Sequence, residues 1–580
     1  MKRSFLLIIV LLVVFSAKAQ EKKKDTVVET EVVNVVTKYN PKIADVKKIR
    51  NNPAIQLLKK NDKKKLEYSI FSAPVASTFT PKTGVVKGIN VGVKERVYNN
   101  YFAAGIGNYI SPYAELFIYN STRFNNEYGV HAKFNSSEEN IKDTKLNSTF
   151  LNFKSSAFFK KEERYFDWKV GLDIERNHYN WYGLPTDVVY NEAVINAIEE
   201  NQNYTYFKTT GDFKFHDSYI DFGKVTASYF TDKYNSSEIY ASFNAKIDFP
   251  LDFINYNLNT ISFDAGVEVL NGNFTESYDN SGGINYNTIT AKLIPEYKHK
   301  FGNLILKASL RTFVSVDTEN DITNFFMFPD LFLQTPIFKQ YVNIYTGLTG
   351  NLETNTYKNF TELNPYVSPT LFITQTAESS NVFLGLKGNI TKSISYNIKA
   401  SVVKEEDKPL FLRNNTKSNG EQLKGYEYGN SYRIFYDDIK SNTIFAEFEY
   451  LFNKNLTFST QVEVKNYTTL NALESWNLPS LQGAFLAKYK KTKWYATANI
   501  FYVDERMDAL YNAEFPSSLR GIQTLDSFFD VNLDGGYHFN DKFSAFLKLN
   551  NVLNTSYQRF ANFKTQGFQV LAGFTYKFDF

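Results

Sequence analysis

Histidines, carboxylates and one aromatic cluster are the residues of this chain that could do chemistry, and their spacing points away from catalysis. Five histidines occur, His131, His178, His216, His299 and His538, and no HExxH or comparable metal spacing joins them. Cysteine is absent, which excludes disulfides, thiolate metal sites, a thiol nucleophile and a lipoprotein anchor. No GxSxG elbow occurs and no histidine falls near a plausible nucleophile on a neighbouring strand. The sequence therefore predicts no enzyme, no metal site and no cofactor. Two acidic-amide links, Tyr278-Asp-Asn-Ser-Gly-Gly283 and Tyr436-Asp-Asp438, offer oxygen ligands to a hard cation but lack the spacing of a calcium loop. The stretch His178-Tyr-Asn-Trp-Tyr-Gly-Leu-Pro185 could stack a sugar or another flat ligand. It reads better as part of an interface girdle, where Trp and Tyr sit at headgroup depth.

Seven carboxylates stand out for their setting: Asp264, Glu268, Glu447, Glu449, Glu463, Asp530 and Asp534. Each lies on the polar side of an alternating segment. Ile261, Phe263, Ala265, Val267 and Val269 alternate with Ser262, Asp264 and Glu268. Ile444, Ala446, Phe448, Tyr450 and Phe452 alternate with Glu447 and Glu449, and Leu456 to Val464 alternates with Ser459, Gln461 and Glu463. Phe529 to Phe539 alternates with Asp530, Asn532, Asp534 and His538. In the last segment Val570, Ala572, Phe574, Tyr576, Phe578 and Phe580 share one face.

Alternation over about 10 residues, repeated between turns, is the signature of a transmembrane barrel strand. The segments exceed the length typical of soluble strands, and the links between them alternate in length. Phe452–Asn455, Lys490–Lys493 and Asn540–Lys542 are short, whereas 467–479, 504–525 and 552–566 are long. Short periplasmic turns and longer extracellular loops are expected of this architecture, with Phe580 at the periplasmic rim. From residue 85 onward about 22 to 25 such runs can be counted, and the even-number rule favours 22 or 24. Between 315 and 380 the direction of the strands cannot be followed, because Pro329 interrupts Phe325–Gln334 and a long polar link precedes Asn364-Pro365.

The fold class expected is all-β: a large transmembrane antiparallel barrel of about 22 strands over 85–580, preceded by a short periplasmic segment. The seven carboxylates, set against Lys465, Lys548 and Lys577, would face a wet lumen and tune what passes it. The competing reading is ion pairing across neighbouring strands. Composition agrees with a barrel: 53 Phe and 40 Tyr suit aromatic girdles. The net charge of +4 argues against a nucleic-acid partner.

Residues 1–19, MKRSFLLIIVLLVVFSAKA, read as a cleaved export signal: Lys2 and Arg3, an apolar stretch from Phe5 to Phe15, then Ala17-Lys18-Ala19. The apolar stretch is shorter than the ~20 residues a spanning helix needs. Residues 20–84 form a periplasmic tail or a reduced plug, with a valine run and then a lysine-rich stretch from Lys42 to Lys65. The valines Val32, Val33, Val35 and Val36 could add as a strand to a periplasmic partner, or pack in the barrel.

The C-terminal end resembles the TonB-dependent receptor barrels of Gram-negative outer membranes. Leu547-Lys-Leu-Asn-Asn-Val-Leu-Asn-Thr-Ser-Tyr557, Phe560, Gly567 and Val570-Leu-Ala-Gly-Phe-Thr-Tyr-Lys-Phe578 carry the resemblance. It implies that Tyr576, Phe578 and Phe580 are the signal read by the barrel-assembly machinery. Glu31-Val-Val-Asn-Val-Val36 looks like the short energy-coupling box of those receptors. Family members carry a globular plug much longer than residues 20–84, so the resemblance is to a receptor barrel with its plug lost or reduced. It implies an outer-membrane location in lipid and a transport barrel that passes or binds a solute, receptor-like or porin-like, with a TonB-like periplasmic protein as partner. The alternative is an accessory barrel of a larger outer-membrane complex for secretion or barrel assembly.

Overall fold

The computed structural model describes residues 97–580, apart from 123–124, 252–259, 280–281 and 419–422. The expected signal 1–19, the segment 20–84 and Val32, Val33, Val35 and Val36 lie outside the described residues.

The alternating segments become strands. The first ten are β1 (Asn100–Gly107), β2 (Ser111–Ser121), β3 (Asn126–Ser137), β4 (Phe150–Glu162), β5 (Phe166–Asn180), β6 (Asn201–Phe215), β7 (Ile220–Asp232), β8 (Ser237–Phe249), β9 (Ile261–Phe274) and β10 (Ile284–Phe301). β11 (Leu304–Asp317), β12 (Ile322–Phe338), β13 (Val342–Glu353), β14 (Thr376–Thr391), β15 (Ile394–Arg413), β16 (Tyr432–Asn453), β17 (Leu456–Thr469), β18 (Leu481–Lys490) and β19 (Trp494–Val503) follow. A hairpin of β20 (Arg506–Tyr511) and β21 (Leu519–Leu525) stands apart from the main sheet. The chain ends with β22 (Phe528–His538), β23 (Phe543–Asn550), a minute hairpin of β24 (Gln558–Phe560) and β25 (Phe563–Lys564), and β26 (Gln569–Phe578). Two short helices are α1 (Glu192–Ala197) and α2 (Tyr357–Leu363).

Twenty-two of the strands form one antiparallel sheet. It closes because β26 pairs with β1, from Asn100↔Phe578 to Gly107↔Leu571. No edge is left among these strands, which a sheet in hydrocarbon requires. The outward rows carry large exposed apolar side chains, such as Val382, Leu384 and Leu386 on β14 or Ile444 and Phe448 on β16. Such a belt far exceeds the apolar patch a soluble monomer exposes, so lipid is its solvent. Among the described residues no helix is long and apolar enough to cross a membrane.

The ambiguous stretch 315–380 resolves into two long strands, a helix and a third strand. β12 runs unbroken through Pro329, which pairs with Leu310 of β11. Pro329 lies beyond the last β12–β13 pair, Leu331↔Leu348, and Pro336 stands beside a register shift. Proline is tolerated where the ladder is incomplete or bulged. That placement explains why it does not end the strand.

One rim carries short turns, among them 163–165, 302–303, 392–393 and 454–455, together with both ends of the barrel chain. The other carries long links at 181–200, 354–375, 414–431, 504–527 and 551–568.

Candidate functional site

The long links do not wave above the barrel; they fold inward. The link 354–375 builds α2, which Thr356 caps by accepting from the Asn359 amide at 3.0 Å. Pro365 cannot continue the helix, and the chain leaves it at Asn364. Tyr357 is 0% exposed and its ring meets Phe230, Phe274 and Tyr204 at 5.1, 4.9 and 6.1 Å. Its hydroxyl donates to Asp232 at 2.8 Å. Glu238 of β8 accepts the amides of Tyr357 and Lys358 at 2.6 and 3.2 Å, and the Tyr286 hydroxyl at 2.9 Å. A carboxylate at the exposed amides of a helix start is the favourable arrangement. Lys358 reaches Glu175 of β5 at 2.7 Å and Glu362 at 2.8 Å. α2 is thus bolted to the inner wall by contacts to β5, β6, β7, β8 and β9.

Above and beside α2 the rest of its own link and the other links form a core. Val367, Leu371, Tyr432, Phe560 and Phe563 are buried together with Tyr182, Val188 and Tyr428. Tyr366 stacks on Phe563 at 3.7 Å, and Tyr182 and Tyr432 approach Phe563 and Phe560 at 5.1 Å each. A second cluster joins Leu410 and Ile439 to Trp476, Ala509 and Tyr511. These are interior contacts, so the loop layer is packed like a domain core.

Buried polar groups lock the layer. The Tyr432 hydroxyl donates to Asp508 at 2.6 Å and accepts from the Ala561 amide at 2.8 Å. Arg413 donates to the Ala509 carbonyl at 2.9 Å, and Arg506 to the Gln558 carbonyl at 2.6 Å. Burial pushes the Asp508 carboxyl above its ordinary value of 3.8, against the pull of Arg413 and the Tyr432 hydroxyl. A carboxyl raised by folding contributes stability that is full below its ordinary value and lost as pH climbs through the folded one. The β20–β21 hairpin is therefore expected to open more readily at neutral than at acidic pH. Asp508→Asn should flatten that dependence. Hydrogen exchange over 506–525, corrected for intrinsic rates, measures it; the same pH slope in both proteins refutes it.

Beneath the layer lie three recesses. One of about 470 Å³ is lined by Lys133, Lys154, Asn152, Glu362, Tyr366 and Arg559. A second of about 350 Å³ shares Tyr179 and Tyr366 with it and adds mainly amides and hydroxyls, such as Asn532, Asn550, Tyr557 and Gln566. A third of about 360 Å³ lies on the β9–β12 wall and is internally neutralised. There Arg311 and Lys307 reach Asp330 at 2.7 and 3.1 Å, Lys307 reaches Glu296 at 3.0 Å, and Lys292 reaches Asp264 at 3.5 Å.

The seven carboxylates singled out in the sequence do not form one ring. Asp264 and Glu268 line the third recess, where Glu268 accepts from the Tyr240 hydroxyl at 3.0 Å. Asp530 lines the second and accepts from Tyr557 at 3.2 Å, and Asp534 stands opposite Lys548 in register. Glu463 pairs with Lys465 at 3.0 Å and accepts from Gln482 at 2.5 Å. Glu447 and Glu449 are exposed opposite Gln461 and Ser459 of β17. Tyr576 and Phe578 stack at 6.1 Å along β26, and Phe580 projects beyond it, 86% exposed.

The girdle reading of His178–Pro185 is overturned. Trp181 is 1% exposed; its ring meets Tyr426 at 5.4 Å and Tyr234 at 5.7 Å, and its amide donates to the Glu200 carbonyl at 2.8 Å. β5 ends at Asn180 and the chain then turns over the mouth, carrying Trp181 and Tyr182 into the loop core rather than to the lipid. Tyr436-Asp-Asp438 is not a link but part of β16, where Asp437 accepts the amides of Leu470, Asn471 and Ala472 at 3.0, 3.0 and 2.9 Å and so anchors the start of the loop after β17. Among the described residues no group of three or more His, Asp or Glu could hold a metal ion. Sequence reasoning missed α2, Glu238, Asp232 and the Tyr432–Asp508 pair. The usable signal was aromatic and aliphatic residues inside long links, where polar ones were expected.

No family model and no curated protein matches the sequence. Solved structures do match the shape. The FrpB iron transporter from Neisseria meningitidis superposes with a TM-score of 0.63 at 11% identity, over 84% of this chain and 82% of that one. The ferric-catecholate import receptor Fiu from E. coli K12, in a closed form, gives 0.62 at 9%, over 83% and 82%. The pyoverdine outer membrane receptor FpvA from Pseudomonas aeruginosa gives 0.60 at 12%, over 83% and 78%.

Proposed function

We propose, on the premise that this chain has the barrel fold of TonB-dependent outer-membrane receptors, that it is an outer-membrane transport receptor whose mouth is closed by its own extracellular loops. The short-turn rim then faces the periplasm and the long links face outward. The observation that carries the reading is the packed loop layer with α2 bolted across the inner wall. An open porin has no use for a buried tyrosine core over its lumen. A receptor that admits a solute only on demand does. The amide- and hydroxyl-lined recesses under the layer, with Lys133, Lys154 and Arg559 at their edge, suit a polar solute taken up through many hydrogen bonds. Opening needs work from outside the layer, and Val32, Val33, Val35 and Val36 are where a TonB-like periplasmic partner would pull.

The full chain in planar bilayers tests the reading. A barrel of this strand number has a lumen wide enough for a large aqueous channel. The expected result is a resting conductance far below that of an open pore of the same size, rising when loop packing is broken. A permanently large, ohmic conductance of the unaltered protein overturns it.

A further inference from the structure

The lipid-facing surface is hollowed over β17–β19, β22 and β23 into a groove of about 620 Å³, within the range of roughly 300–1,000 Å³ seen for ligand clefts. Its cause is a run of small outward residues in register. Ala496 pairs with Tyr489 and Gly535, Ala498 pairs with Ala487 and Leu533, and Ala545 pairs with Tyr537. Leu456, Tyr489, Trp494, Tyr537, Leu547 and Leu549 rise around this floor as walls. The groove therefore offers an almost wholly apolar trough where the rest of the belt offers ridges.

A second, independent feature lies at its short-turn end. Lys490 at the end of β18 and Lys491 and Lys493 in the β18–β19 turn are exposed, and among the described residues no ion pair within 4.0 Å engages them. The three lysines line a polar rim recess of about 350 Å³ that also takes in His538, Tyr101 and a fourth lysine, Lys577, with Asp541 as its acidic member. Lys493 of the recess directly precedes Trp494 of the groove wall. Trp494 is exposed and meets Tyr537 edge-on at 5.6 Å, the aromatic arrangement found at headgroup depth. Lys454 and Lys542 sit in the flanking turns at the same rim.

We propose that this is a binding site for an acidic glycerophospholipid of the periplasmic leaflet, with an acyl chain in the trough and the phosphate at Lys490, Lys491 and Lys493. Charge selects the ligand. A zwitterionic lipid would fill the trough equally well but bring no net negative charge to the three ammonium groups. The proposal rests on the orientation of the barrel in the membrane and is independent of what the lumen carries.

The test is native mass spectrometry of the full chain released from detergent after incubation with phosphatidylglycerol or phosphatidylcholine of matched acyl chains. The unaltered protein should retain phosphatidylglycerol preferentially. Each lysine at an acidic lipid surface is worth about a fivefold preference, so K490Q/K491Q/K493Q should cut the preference by on the order of tenfold or more. A496L/A498L should reduce adducts of both lipids by filling the trough. Should that variant fail to close, quenching of Trp494 fluorescence by chain-brominated phosphatidylglycerol, compared with the brominated choline lipid and referenced to Trp494→Phe, reads the same site. Equal retention of the two lipids overturns the proposal. So does unchanged selectivity in the lysine variant, or a membrane protein crosslinked in the groove that lipid does not displace.

Discussion

Replacing Tyr357 with alanine is expected to turn a nearly closed barrel into a conducting one. The side chain is fully buried in a cage of Phe230, Phe274 and Tyr204, and all three rings belong to the barrel wall. Large-to-small replacement of a buried aromatic costs about 3–5 kcal/mol. The Asp232 carboxylate also loses the Tyr357 hydroxyl but keeps the amides of Tyr234 and Ser236 at 2.8 and 2.9 Å. The whole cost falls on one local equilibrium, α2 docked or undocked, because the barrel strands are paired without it. At roughly 1.4 kcal/mol per decade, the docked fraction should fall by about two to three and a half orders of magnitude relative to the undocked one. Single-channel recording should show frequent long openings where the unaltered protein shows few. Tyr357→Phe keeps the cage and loses one hydrogen bond, and should open far less. Equal and low conductance in all three proteins would mean that α2 does not close the lumen.

The barrel was legible in the sequence for a physical reason: each strand must show lipid one face and water the other. The two-residue period is therefore written into every segment, from Ile261–Val269 to Val570–Phe580. Turn spacing and the even-number rule narrowed the strand number to 22 or 24, and the sheet has 22. Pro329 hid β12 because sequence alone does not say which stretch of a strand lacks a neighbour on one side. The loop layer was illegible for a different reason. Trp181, Tyr357, Tyr428 and Phe563 come from links far apart in the chain, and nothing periodic joins them. A buried ion pair such as Lys358–Glu175 spans nearly two hundred residues and leaves no local trace. The aromatic run at His178–Pro185 carried the right residue types for two environments. The direction of the chain after Asn180 decides between them, and that direction is a tertiary fact.

The closing seam between β26 and β1 supplies the other large effect: Gly573→Val should prevent the sheet from closing. Gly573 faces Gly105 across the seam. A Cβ at Gly573 would run into the Ala104 carbonyl and the Phe546 ring, which lies over the glycine, and one at Gly105 would stand 2.8 Å from the Ala572 carbonyl. Phe546 is buried on the lumen side and has Tyr113 at 6.1 Å, so it has little room to retreat. Inserting carbon into a packed site usually costs about 1–3 kcal/mol, and here backbone rather than a flexible side chain is in the way. The seam has eight residue pairs, and it joins strands at opposite ends of the chain, so no short turn holds them in register while they find each other. An unclosed sheet leaves two edges whose backbone groups have no partner in hydrocarbon. Ala572→Val, one residue away with its side chain on the lipid face, adds similar bulk without meeting the facing backbone. The compact, detergent-resistant form that migrates fast on unheated gels should disappear for Gly573→Val and persist for Ala572→Val. Normal migration of both would show that the glycine pair is not what lets the two ends meet.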